Sequence, residues 1–209
     1  SVQFILADRH PRAEPQNVEK LQKVKFEKAK EVYLDRFADA SDFTFVFTGN
    51  IDIEKAKPLI ETYLGSLPST KRIESWKDNE VNYPEGKVSK TIEKDLEVKK
   101  NSIFINYNGD FEFSYENRIL LQAIKHILDI RYTESVREEE GGTYGVGLRV
   151  NTSEFPKEEF ALNINFDCGP ENSDKLKAII YKEIDDMIKN GPSEVDLNKA
   201  KENFIKNRE

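Results

Sequence analysis

The sequence predicts an α+β chain: a layered α/β sandwich with an antiparallel-rich mixed sheet and helices on one face. Three observations predict it. Apolar residues alternate at Ile103, Ile105 and Tyr107, and at Phe160, Leu162, Ile164 and Phe166, the period of a half-buried strand. They recur at three- and four-residue spacing through Leu176, Ile179, Ile180, Ile184, Met187 and Ile188, the period of an amphipathic helix. From residue 87 the order reads β-β-α-β-β-α-α, and strands paired as hairpins under a helical layer make this kind of sandwich.

Taken in order, residues 1–16 hold a short apolar patch, Val2 to Ala7, then His10-Pro11 and Pro15, the tail of something upstream. Leu21, Val24, Ala29, Val32 and Phe37 predict a helix over 18–37. Residues 42–48 read as a strand with Phe43, Phe45 and Phe47 on one face. Gly49-Asn50 turns the chain, and Asp52 caps a helix that Gly65 stops after Leu64. Residues 65–86, with Pro68, Pro84 and Gly86, read as a connecting stretch anchored by Trp76. Strands are expected at 87–98 and 101–109 with Lys99-Lys100 between them, then a helix over 114–138. Strands at 143–151 and 158–167 flank a loop at Pro156-Lys157. A helix over 172–189 ends at Gly191-Pro192, and Ser193-Glu-Val-Asp196 forms a capping box for the last helix. The organisation is therefore a helix-strand-helix tail over 1–70, a linker over 71–86 and an α+β domain over 87–209.

Composition narrows the function. With 209 residues, 34% charged and 37% hydrophobic, the chain is polar yet able to fold. A net charge of −7, with lysines dispersed among glutamates, argues against a nucleic-acid partner. No apolar run nears the roughly 18 residues of a membrane span. The single cysteine, Cys168, forbids an internal disulfide and reads as a small buried hydrophobe. The chain begins with Ser1 and ends in a charged helical pattern, and it is expected to be a piece of a longer protein. The two histidines, His10 and His126, lie on different segments, and neither H-E-x-x-H nor H-x-x-E-H is present. Three ligands for a catalytic zinc are not in sight. Nor is there a G-x-S-x-G, a Walker sequence, or a G-x-G-x-x-G after a strand. The run Glu138-Glu139-Glu140 reads as a solvated helix end.

The joint between the helix over 114–138 and the next strand stands out. There a helical period gives way, across Gly141-Gly142, to alternation at Tyr144, Val146, Leu148 and Val150. The turn brings a guanidinium, Arg137, and a phenol, Tyr144, toward one end of a sheet. Arg137 offers a planar fork for a carbonyl or carboxylate, and Tyr144 one directed hydroxyl. Two readings stay open on the residues alone. Arg137 also suits the helix dipole, and Tyr144 also suits a strand's apolar face.

Three stretches carry a resemblance. Phe43-Thr-Phe-Val-Phe-Thr-Gly-Asn-Ile-Asp52 with Tyr63-Leu-Gly-Ser-Leu-Pro68 is similar to a strand-turn-helix closing one domain of the pitrilysin/insulinase family of zinc metallopeptidases, the inverzincins. Ser135-Val-Arg-Glu-Glu-Glu-Gly-Gly-Thr-Tyr-Gly-Val146 resembles that family's R-E-x-x-G-x-x-Y element, and Gly191-Pro-Ser-Glu-Val-Asp-Leu-Asn-Lys-Ala-Lys201 its closing helix start. The resemblance covers nearly the whole chain and implies a metalloprotease or processing-peptidase-like domain. It implies two homologous halves around a chamber, with zinc and the general-base Glu in H-x-x-E-H on the first half. The second half carries no zinc and gives an Arg and a Tyr seven residues apart. By resemblance, Arg137 and Tyr144 bind the substrate backbone, and Tyr144 donates to the developing oxyanion.

H-x-x-E-H is absent from this chain, so the resemblance implies a piece of the second half, inactive alone and holding no zinc. Its partners would be a peptide or unfolded polypeptide, lying along a sheet edge, and the N-terminal half of the same chain. Members of this kind in bacteria are often exported, which raises a periplasmic location. The alternative is a non-catalytic structural or regulatory subunit of the same fold, and beyond it a small binding module unrelated to proteolysis.

Overall fold

The computed structural model describes residues 2–95, 97–138 and 145–206, with Arg137 and Glu138 described by backbone alone. Two compact units divide the chain, Ser1–Gly86 and Lys87–Glu209.

The first unit holds α1 (Val2–Leu6), α2 (Val18–Gln22), α3 (Phe26–Arg36) and α4 (Ile53–Tyr63). Asn17 caps α2 by accepting from the Lys20 N–H at 2.9 Å. The helix expected over 18–37 is thus two pieces, parted where Lys25 turns extended (φ −105°, ψ 128°). Leu21 and Val24 are 58% and 68% exposed, so no packing surface holds the pieces in one line. Asp52 caps α4 as expected, accepting from the Lys55 N–H.

The strand expected over 42–48 is not formed. A strand needs a ladder partner, and no other stretch of this unit's described residues supplies one. Phe43, Phe45 and Phe47 remain exposed, Phe43 meeting the rings of Phe37 and Phe45 edge-on. The one buried side chain among this unit's described residues is a carboxylate. Asp39 accepts from the N–H groups of Ser41 (2.9 Å), Thr70 (3.0 Å) and Arg72 (2.7 Å) and from the Thr70 hydroxyl. The hydroxyl and these amides hold it far below the usual carboxylate range. With the Ala40 N–H on the Pro68 carbonyl, they fasten residues 68–72 to residues 39–41. Trp76, read as an anchor, is 65% exposed.

The second unit holds β1 (Asn101–Asp110), α5 (Tyr115–Glu138), β2 (Gly147–Ser153), β3 (Glu159–Cys168), α6 (Ser173–Asn190) and α7 (Glu194–Lys206). The sheet order is β1-β3-β2, with both pairings antiparallel. The strand expected over 87–98 is absent from the described residues, and with it the hairpin at Lys99-Lys100. Val88, Ile92 and Val98 are exposed, so no apolar face fixes a register there. Elsewhere the alternation holds. Ile164 of β3 stands opposite Ile105 and Leu148, and Leu162 opposite Tyr107 and Val150. Against this face pack Leu128, Tyr132 and Val136 of α5 and Leu176, Ile180 and Ile184 of α6. Ile164 and Ile180 have no exposed surface. Cys168 lies in the same core. The opposite face is polar: Asn106 donates to Asn163 and accepts from Asn108. The capping box of α7 is reciprocal, with the Asp196 N–H on Ser193 Oγ (3.1 Å) and the Ser193 N–H on Asp196 Oδ2 (3.3 Å). No helix among the described residues is long and apolar enough to cross a membrane.

Candidate functional site

The joint flagged by the sequence runs from the end of α5 to the start of β2. Each flank is held by apolar burial. On the helix side, Tyr132 and Val136, one turn apart, sit in the core at 1% and 7% exposure. The Tyr132 hydroxyl donates to the Ile180 carbonyl at 3.3 Å, and burial pushes that phenol well above its ordinary range. On the strand side, Leu148 is buried, and Val146 and Val150 pack against the same cluster. The entry to β2 calls for glycine at one position and crowds a side chain at another. Gly145 has φ +138°, and a β-carbon at Gly147 would stand 3.0 Å from Asn165 Oδ1. Arg137 falls in the last turn of α5 by its backbone, while its side chain, and Tyr144 entirely, lie outside the described residues.

Sequence reasoning passed over what ties the end of α5 to the helices around it. Arg131 bonds Asp186 of α6 (2.8 Å) and Asp196 of α7 (3.0 Å), and reaches the Gly191 carbonyl at 3.5 Å. Glu183 stands 3.9 Å from the same guanidinium, whose side chain is 13% exposed. One turn on, the Ser135 hydroxyl donates to the other oxygen of Glu183 at 2.8 Å. Burial opposes the charge on Arg131, but the carboxylates of Asp196 and Asp186 prevail and raise its pKa. Asp196 therefore works twice, in the α7 cap and in the Arg131 cluster. The sole hint in the sequence was the pair of acids bracketing Gly191-Pro192, since partners 55 and 65 positions away from an arginine leave no local pattern.

Among the described residues no three His, Cys, Asp or Glu side chains gather as a metal centre requires. His10 Nδ1 accepts from the Arg12 N–H, and His126 stands beside the Phe204 ring.

Residues 23–204 match the family described as Peptidase M16 inactive domain. The chain is 26% identical over 179 residues to a probable zinc protease PqqL of Haemophilus influenzae, covering 83% of this chain and 18% of that one. It superposes on the crystal structure of the periplasmic protease PqqL from Escherichia coli with a TM-score of 0.82 at 21% identity, over 99% of this chain and 23% of that one. The first half of the same Escherichia coli protease, solved separately, gives a TM-score of 0.64 at 16% identity, over 98% of this chain and 44% of that one. The chain spans about a fifth of the length of the curated relatives it matches. The expected fold class is the observed one, a helix-covered sheet of this kind. The chain belongs to the peptidase M16 inactive-domain family of zinc-protease relatives.

Proposed function

We propose that this chain is a segment of the second half of a longer zinc endopeptidase, in which it binds the substrate and stabilises the oxyanion while zinc sits on the N-terminal half. Residues 1–70 then close one domain, 71–86 link, and 87–209 form most of the next. The observation that supports this reading is the pair of elements flanking residues 139–144: a helix whose last buried turns pack in the core, and β2, an edge strand among the described residues. A peptide or unfolded polypeptide laid along that edge finds backbone donors and acceptors. Arg137 is assigned to its carbonyls, and Tyr144 to the oxygen that gains charge as the peptide bond is attacked. A neutral donor fixed beforehand stabilises the transition state more than the ground state.

The recurrence of this fold in the first half of PqqL supports a two-half architecture, with the N-terminal half of the same polypeptide as partner. The periplasmic PqqL relative favours that compartment for this chain as well. A second reading has its own observation: the matching family is described as an inactive domain, which suits a scaffold or regulatory subunit.

Peptide hydrolysis by the full-length protein, wild type against Tyr144→Phe, separates the two readings. A loss of about 10²–10³ in kcat with folding intact is expected for a removed oxyanion donor. Full activity in the variant removes Tyr144 from catalysis. No hydrolysis and no bound zinc in the wild type leaves the scaffold.

A further inference from the structure

We infer that Glu183 and Ser135 form a positioning latch for Arg137, an inference that rests on the substrate-binding role proposed above for that residue. The last turns of α5 are attached to α6 by a specific polar contact. Ser135, two residues before Arg137, donates its hydroxyl to Glu183 Oε1 at 2.8 Å. The other oxygen of the same carboxylate faces the Arg131 guanidinium at 3.9 Å. Glu183 is half-buried, with 19% of its side chain exposed. A carboxylate drawn between a hydroxyl and a guanidinium on consecutive turns of one helix fixes both the rotation and the axial position of that helix. Apolar contacts alone are less specific about rotation, because the hydrophobic effect follows buried area and has no preferred direction. Rotation matters here. A helical residue two positions beyond the latch swings with it, and a shift on the order of 1 Å in a positioning group can cost about 10²-fold in rate. Arg131 also binds Asp186 and Asp196, so it keeps the three helices together when the latch is cut. Loss of the latch therefore loosens the end of α5 without dissolving the unit.

The test is a set of variants in the full-length peptidase, read as kcat and KM separately. Ser135→Ala and Glu183→Ala are each expected to lower kcat/KM roughly tenfold, within the range of coupled neighbouring side chains, with most of the change in KM. Glu183→Gln keeps an acceptor for Ser135 and is expected to recover most of that loss. In an Arg137→Ala background, where the group to be positioned is gone, the same substitutions are expected to change kcat/KM by less than about twofold. Should they lower kcat/KM equally in both backgrounds, or move only the unfolding midpoint, the latch is structural and the inference falls while the role of Arg137 stands. If Arg137→Ala alone leaves kcat/KM unchanged, the substrate-binding role falls and the inference with it. Ser135→Ala removes one half-buried hydroxyl and keeps the set interpretable if Glu183→Ala fails to fold.

Discussion

The two units spend their apolar residues in opposite ways. In Lys87–Glu209 the sheet and two helices enclose Ile164 and Ile180 completely. In Ser1–Gly86 no apolar side chain among the described residues is buried, and Ile73 is 96% exposed. What is buried there is Asp39, held by four donors. Both stretches carry convincing hydrophobic periodicity. A periodic face therefore signals a need for a covering layer, and whether the layer exists is a property of the surrounding chain. The second unit contains its own cover, and the first presents Phe43, Phe45 and Phe47 outward.

Four substitutions sharpen or break that contrast. Ile180→Ala empties a site with no exposed surface and should cost about 3 kcal/mol, as buried aliphatic truncations do. Urea denaturation followed by circular dichroism measures it, and a cost below about 1 kcal/mol would deny the second unit a tight core. Arg131→Met strips the guanidinium from Asp186 and Asp196. About 2 kcal/mol is expected, less than the roughly 3–5 kcal/mol of fully buried pairs, because Asp186 is 45% exposed. The same titration reports it.

Asp39→Asn tests the first unit through Trp76, the single tryptophan, whose fluorescence reads that region alone. The variant should unfold at lower denaturant at neutral pH. The folded pKa of Asp39 is depressed, so its stabilisation is present above the ordinary carboxylate value of about 3.9 and is lost as pH falls toward the folded value. Wild type and variant should therefore converge in acid, and a constant gap would assign the effect to hydrogen bonding alone. Smallest of all, Ile73→Ser should change stability by less than about 0.5 kcal/mol, the range of surface substitutions. The same residue type thus spans the full range between the units, and a large effect at Ile73 would mean that the first unit hides a core.

Elements with both a period and a neighbour were legible from the residues: α5 to α7 and β1 to β3 lie within a few positions of their predicted bounds, and α4 was legible from its Asp52 cap. Elements with a period and no neighbour were not, as residues 42–48 and 87–98 show. Propensity makes a strand possible, but hydrogen bonding to a second strand makes it one. The candidate site was half legible. The end of α5 and the alternation at Val146, Leu148 and Val150 were read from spacing, and Arg137 falls in that last turn by its backbone, while the turn itself and Tyr144 lie outside the described residues. The pairing of Arg131 with Asp186 and Asp196, and the place of Glu183 beside it, were not read because long-range charge pairing has no sequence period.

Cys168 closes β3 inside the second unit, 6% exposed and 3.5 Å from the Ser173 hydroxyl. As the only thiol in the chain, it makes that unit a clock. A disulfide-exchange reagent reaches the sulfur only when the seam between β3 and α6 parts. The labelling rate, divided by that of a free thiol, then gives the opening equilibrium whenever closing outruns the reagent. The lone indole belongs to the other unit. Two native side chains thus time two regions of one polypeptide independently, and no reporter has to be built in.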